Sequence, residues 1–394
     1  MENSALINIG ILGDVSNGKS TLVEKLTGVK TQRHSLEKDK NISIKQGYAN
    51  MKIWKNEDKY YTTNSSIHEH DINDIKSILV NHISFVDCPG HNELILTLLT
   101  SMCIMDGIIL VISVENDITK KVQLKEQLMA IKLLNIEKII ICMNKIDLVN
   151  KNIVSGRKND LDKLLSSYDI KPLHVIPVSF TNNINIKYVV LSILDIFNIE
   201  FCNFKKEKNP IFNITRSFDI NKPGINWKDI KGGVIGGSLS CGKLNIGDNI
   251  TIFPGIDNTP ITTNIISIKS ENIELDKLDV PGLVGICTNI EPYYCKNDYL
   301  KGNFIAIEDD IIKSKKIKIK NYLVNNYINW DPKVNEMIKL IVNSNYYDCK
   351  IINIKKNYLE IISENYIYHF LKQNVIICSF KPIKIITCGY IHCE

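Results

Sequence analysis

Gly13-Asp14-Val15-Ser16-Asn17-Gly18-Lys19-Ser20 decides the reading of this chain, because it fits G-x-x-x-x-G-K-[ST]. Its context is what gives it weight. The apolar run Ile7–Leu12 before it reads as a strand, and Lys19 to Thr27 after it reads as a helix. Glycines in such a turn let backbone amides face phosphate oxygens, and the helix N-terminus adds partial positive charge. Gly13, Asp14, Val15, Ser16, Asn17, Gly18, Lys19, Ser20 and Thr21 are therefore expected around phosphates. Lys19 would reach the outer phosphates, and the Ser20 hydroxyl would bind Mg²⁺.

Further segments follow in one order. Ser43 lies in Asn41-Ile42-Ser43-Ile44-Lys45, and its hydroxyl is a candidate to close on Mg²⁺ in the triphosphate state. Serine is common in loops, so spacing alone leaves that open. Asp87-Cys88-Pro89-Gly90-His91 follows the strand pattern His82–Val86. Asp87 would hold Mg²⁺, the Gly90 amide would sense the terminal phosphate, and His91 would orient the attacking water as the catalytic residue. A surface or capping histidine is the plainer alternative for His91.

Asn144-Lys145-Ile146-Asp147 follows a β-branched run and points to guanine. The Asp147 carboxylate can accept from both the N1–H and the 2-amino group, a donor pair adenine lacks. Asn144 would brace loops, the Lys145 stem would cover the base, and Ser179 with Phe180 would support it from another loop. The expected ligands are GTP and GDP with Mg²⁺.

Residues 5–200 alternate strand and helix signals. Gly107–Val114 and Lys138–Met143 are continuous apolar runs, as in strands buried on both faces, and Gln123–Leu134 has helical spacing between them. Alternating units imply a mostly parallel sheet with ligands at the strands' carboxyl ends, where four of the five motifs fall. Phe204–Pro210 reads as a linker. Beyond it, short strands separated by Gly, Pro, Asn and Asp turns read as an antiparallel barrel. A second break near Glu308-Asp309-Asp310 precedes another small barrel. The expected domains are 1–204 (α/β nucleotide-binding), 205–309 (β-barrel) and 310–394 (β-barrel). Lysines 313, 315, 316, 318 and 320 could face RNA, but alternation with Ile317 and Ile319 more simply gives a strand with one wet face.

The bulk of the chain excludes other classes. It has 394 residues, 44% hydrophobic and 23% charged, which is ordinary for a globular protein of two or three domains. No apolar run is long enough to span a membrane, and nothing near Met1 resembles a secretion signal, so a cytoplasmic protein with no membrane partner is expected. Eleven cysteines occur without a Cys-x-x-Cys pair; Cys88, Cys103 and Cys142 read as small apolar core residues. The net charge of +5 permits a nucleic-acid partner without demanding one.

With these motifs the chain resembles the translational GTPases, specifically the gamma subunits of eukaryotic and archaeal translation initiation factor 2. The resemblance also rests on Asn41–Asn50, His82–His91, Arg216-Ser217-Phe218-Asp219-Ile220-Asn221-Lys222-Pro223-Gly224, Lys231–Ser238 and Pro281–Gly285, and it weakens after about residue 300. Elongation factor Tu shares the nucleotide motifs and three-domain plan but not the Ser-Phe-Asp-Ile-Asn-Lys-Pro-Gly string. The resemblance implies a P-loop GTPase domain, two barrels, and a GTP-bound form that carries methionyl initiator tRNA to the small ribosomal subunit. It further implies alpha and beta subunit partners, a GTPase-activating protein and a nucleotide-exchange factor. Tyr48, Arg216, Lys231 and Gly233 match positions near the tRNA acceptor end; packing for Tyr48 and a turn role for Lys231 are the plainer readings.

Departures from the family bear on mechanism. The phosphate loop has Asp14, Ser16 and Asn17 where the family usually has His, Asp and His. Ser43 replaces a threonine, and Lys55–Lys76 contains no cysteine, so the zinc knuckle of many relatives is not expected. His68, His70 and His82 could bind a metal, but a solvated loop is the simpler reading. Cys378-Ser379-Phe380-Lys381 stands where relatives carry paired arginines. The rival functions are an elongation- or selenocysteine-type tRNA carrier and a non-hydrolysing GTP-binding scaffold.

Overall fold

The computed structural model describes residues 4–30, 47–57, 59–64, 77–88, 95–197, 204–320, 330–355 and 357–392. The chain forms two compact units, Met1–Leu98 with Met105–Asn203, and Leu99–Ile104 with Phe204–Glu394.

The elements through residue 197 are β1 (Ile7–Leu12), α1 (Lys19–Thr27), β2 (Gly47–Asn56), β3 (Lys59–Asn64), β4 (Ile78–Asp87), α2 (Ile95–Met102), β5 (Gly107–Ser113), α3 (Val122–Leu133), β6 (Ile139–Asn144), α4 (Lys151–Ser167), β7 (His174–Pro177) and α5 (Ile186–Ile196). The strands make one sheet in the order β3-β2-β4-β1-β5-β6-β7. β4, β1, β5, β6 and β7 run parallel, with Ile9 beside both Phe85 and Gly107. β2 and β3 add antiparallel at one edge. Every residue of β1, β5 and β6 is buried, the pattern of strands covered on both faces. Ile9, Ile11, Val111, Ile140 and Cys142 pack with Leu22 and Val23 of α1 and Val189 and Ile193 of α5. The crossover helices bury one sheet face, which leaves the carboxyl ends of β1, β4, β5, β6 and β7 free to carry loops.

Two sequence expectations shift slightly. The strand read as His82–Val86 is longer, Ile78–Asp87, because its first half pairs with β2, Lys55 standing opposite Ile78. The helix read as Gln123–Leu134 starts and ends one residue earlier.

In the second unit, β8 (Ile211–Phe218), β9 (Val234–Cys241), β10 (Leu244–Asn245), β11 (Asn249–Ile256), β12 (Thr259–Ser270), β13 (Ile273–Leu275), β14 (Lys277–Leu278), β15 (Leu283–Thr288) and β16 (Phe304–Ala306) come first. Six of them form an antiparallel barrel, β11-β16-β8-β9-β15-β12, closed where Ile252 of β11 meets Ile261 of β12. Phe212, Ile214, Ile235, Leu239, Ile252 and Ile286 fill it. β17 (Ile312–Lys320), β18 (Met337–Val342), β19 (Asn345–Lys355), β20 (Tyr358–His369), β21 (Asn374–Ser379) and β22 (Ile385–His392) close a second barrel in the order β17-β20-β19-β18-β21-β22. In β17, Ile317 and Ile319 point into the core while Lys313, Lys315 and Lys316 are exposed, so the alternation serves a one-sided strand.

An aromatic seam joins the two barrels. Phe253 stacks 5.5 Å from Tyr368 and 5.9 Å from Phe304, and Phe304 lies 5.7 Å from Phe370, all centroid to centroid. Tyr368 OH donates to Asn258 O at 3.2 Å, and Ser344 Oγ donates to Gly302 O at 3.0 Å. Among the described residues no helix is long and apolar enough to cross a membrane, and none of the cysteines is in a disulfide.

Candidate nucleotide site

The loop between β1 and α1 folds on its own backbone. Gly13 has φ of 140°, and a Cβ there would lie 2.2 Å from Val111 O. Gly18 has φ of 97°, and a Cβ there would lie 2.4 Å from Asn144 Nδ2. Both positions therefore demand glycine twice over, for conformation and for space. The Lys19 ammonium is buried and donates to Gly13 O and Asp14 O, each at 2.8 Å. Burial pulls its pKa down, opposed by the carboxylates of Asp87 and Asp14. α1 begins at Gly18 without a side-chain cap and with no acidic residue in its first turn. An uncapped helix start with no acid beside it is an environment that suits an anion.

The loop is held from behind. Asn17 Nδ2 donates to Val111 O of β5 at 2.8 Å, and Asn144 Nδ2 donates to Asn17 O at 2.8 Å. Asn144 Oδ1 in turn accepts from Phe180 N at 3.2 Å. One side chain at the end of β6 thereby ties the phosphate loop to the loop after β7.

Ser20 Oγ donates to Asp87 Oδ2 at 2.7 Å. A hydroxyl and a carboxylate converging beside the loop are the hard oxygen donors that Mg²⁺ takes. The donor set fits the ion: Ser20 and Asp87 would hold it. Ser43, Gly90 and His91 lie outside the described residues, as do His68 and His70. His82 is buried in β4 opposite Lys52 of β2. Among the described residues no three His, Cys, Asp or Glu side chains group as metal ligands.

Further along the same edge of the sheet, Lys145 adopts φ of 68° and turns the chain out of β6, and Asp147 is exposed. Lys145 Nζ lies 2.9 Å from Glu115 Oε2, an ion pair that ties it to the loop after β5. Asp147 Oδ2 accepts from Asn182 Nδ2 at 3.1 Å. Ser179 and Phe180 are buried; Ser179 Oγ accepts from Asn182 N at 3.3 Å, closing the turn that carries Asn182. The structure thus brings residues 13–20, 87, 144–147 and 179–180 to the carboxyl ends of β1, β4, β6 and β7. Sequence reading missed Glu115, Lys121 and Asn182, which touch these residues from loops without a motif.

The four positions matched to tRNA fall in both units. Tyr48 is half-buried in β2 of the first. In the second, Arg216 Nε donates to Asp298 Oδ1 at 2.7 Å, and the Lys231 backbone is clasped by Asn221, whose Oδ1 accepts from Lys231 N at 2.8 Å. Gly233 is buried, and a Cβ there would lie 2.2 Å from Cys295 Sγ, so its lack of a side chain serves packing.

Comparison with known proteins bears on the family and the fold. Residues 4–200 match the family model of the elongation factor Tu GTP binding domain. Translation initiation factor 2 subunit gamma of Methanocaldococcus jannaschii is 38% identical across 77% of this chain and 74% of its own length. Its eukaryotic counterpart in Encephalitozoon cuniculi is 35% identical across 78% of this chain and 73% of its own length. A bacterial selenocysteine-specific elongation factor, EF-Sec, superposes with a TM-score of 0.78 at 20% identity, covering 98% of this chain and 58% of that one. Elongation factor SelB of Methanococcus maripaludis, solved with the GTP analogue GppNHp, gives 0.73 at 18% identity, over 99% of this chain and 79% of that one. At such identity these two structures speak for the fold: a GTPase domain followed by two antiparallel barrels. The chain belongs to the family of translation initiation factor 2 gamma subunits, a translational GTPase whose family role is that of GTP-dependent initiator-tRNA carrier.

Proposed function

We propose that this chain works as the switch subunit of translation initiation factor 2, with Gly13–Thr21 holding the phosphates and Asn144, Lys145, Asp147, Ser179 and Phe180 holding guanine. The observation that carries this is Asn144, which bonds to Asn17 O and Phe180 N at once and so couples the phosphate loop to the loop after β7. Lys19 would exchange its bonds to Gly13 O and Asp14 O for phosphate oxygens. Mg²⁺, when bound, would neutralise phosphate charge. Ser20, Asp87 and Ser43 are the residues proposed to hold it. Gly90 reports the terminal phosphate, and His91 orients the water that attacks it.

The domains are proposed as 1–204, 205–309 and 310–394. Tyr48, Arg216, Lys231 and Gly233 are proposed to line the path of the tRNA acceptor end. An aromatic ring can stack on a base and cations can meet phosphates; the Arg216 guanidinium, already aligned by Asp298, suits the second role. The proposed partners are methionyl initiator tRNA, the alpha and beta subunits, the small ribosomal subunit, and activating and exchange factors, in the cytoplasm. Family membership supports this over an elongation-type carrier or an inert scaffold.

The test is binding of methionyl initiator tRNA to the purified chain with a GTP analogue, GDP or an ATP analogue, with elongator methionyl-tRNA as control. Selective binding of initiator tRNA with the GTP analogue alone is expected. Guanine-nucleotide binding without any tRNA preference, even with both partner subunits added, would overturn the carrier role.

A further inference from the structure

The phosphate loop carries an acid where its task is to bind an anion. Asp14 follows Gly13 directly, its side chain is only 13% exposed, and its Oδ1 is buried with no hydrogen-bond partner. Burial pushes its pKa up, and Lys121 and Lys19 pull it back. An uncompensated carboxylate at this depth would repel a polyphosphate across a poorly screened distance. Lys121 faces it: its Nζ lies 3.8 Å from Asp14 Oδ2 and 3.5 Å from Asn17 Oδ1, with the side chain 16% exposed.

Lys121 is delivered there by an ordered turn. Ile118 is fully buried, and Lys121 N donates to its carbonyl at 3.3 Å. Asp117 Oδ1 accepts from Thr119 N at 3.0 Å and Thr119 Oγ1 at 2.8 Å, and Arg157 Nη1 of α4 lies 3.5 Å from it. A cation held this way costs little further ordering when ligand arrives.

We propose that Lys121 is a positioning residue of the nucleotide site, neutralising Asp14 so that the loop accepts a triphosphate. The proposal rests on the reading that this loop binds GTP. It goes beyond that reading by assigning a job to a residue outside every nucleotide motif, paired with an acid inside the phosphate loop. GTP carries one more negative charge than GDP, so loss of Lys121 penalises GTP more.

The experiment measures dissociation constants for a fluorescent GTP analogue and for GDP on the full chain as parent, K121M, K121R, D14N and D14N/K121M. Thermal melts of the nucleotide-free proteins run alongside. K121M is expected to bind the GTP analogue about tenfold more weakly, and GDP by a smaller factor. K121R is expected to retain parental binding. Removing the carboxylate as well is expected to restore binding to within about threefold of the parent, a coupling that a purely structural lysine would not produce. The double variant also supplies the answer should K121M fail to fold. K121M binding like the parent, or D14N/K121M remaining tenfold weak, overturns the proposal. A parent that binds neither nucleotide overturns the site reading itself, and the proposal with it.

Discussion

The two ends of the candidate site are built on opposite plans. At the phosphate end the polar groups already engage one another: Lys19 donates to two carbonyls and Ser20 to Asp87, and Lys121 forms an ion pair with Asp14. At the base end Asp147 is exposed and touched by one amide, that of Asn182. A ligand arriving at the first end exchanges bonds; at the second it adds them. Such an exchange makes the phosphate end sensitive to charge and loop conformation. The base end is left to decide identity, because a carboxylate left unpaired is costly against the wrong base.

Asn144 joins the two plans, and breaking it should have the largest effect. Asn144→Ala orphans Asn17 O and Phe180 N, both at buried residues, for a loss of about 2–4 kcal/mol. Guanine-nucleotide affinity measured by titration should fall about 100-fold or more, together with a lower melting temperature for the nucleotide-free chain. Unchanged affinity would mean that the two ends are independent. Asp147→Asn sharpens the contrast, since it should alter identity rather than strength. Xanthine offers a carbonyl where guanine has its 2-amino group, so an amide can donate to it. Discrimination against GTP in favour of XTP should shift by about 100-fold, with melting temperature nearly unmoved. The smallest effect belongs to Asn182→Ala. Its bond to an exposed carboxylate is worth well under 1 kcal/mol, so GTP affinity should change less than about threefold. A large drop there would show that the base end is braced as firmly as the phosphate end.

Much of the fold was readable in advance because buried parallel strands are written as unbroken apolar runs. Ile7–Leu12, Gly107–Val114 and Lys138–Met143 lie within a residue of the strands observed. The start of β4 escaped notice because Asn81 interrupts its apolar pattern, yet Asn81 is buried opposite Ile53 of β2. Lys52, fully buried opposite His82, likewise hides an interior strand behind a polar letter. The residues that brace the candidate site were harder still. Glu115, Lys121 and Asn182 sit in loops whose proximity to the motifs is created by the sheet order, and no local spacing records it. Motif reading finds what touches ligand through backbone geometry; it is blind to side chains recruited across the top of the sheet.

The aromatic seam of Phe253, Phe304, Tyr368 and Phe370 has a bearing on how the two barrels can move. Two barrels sharing buried rings and the bonds of Tyr368 and Ser344 do not pivot about the short connection between Ala306 and Ile312 without exposing that surface. Ring burial of this kind makes the pair one mechanical load. Whatever load falls on either barrel is carried by both.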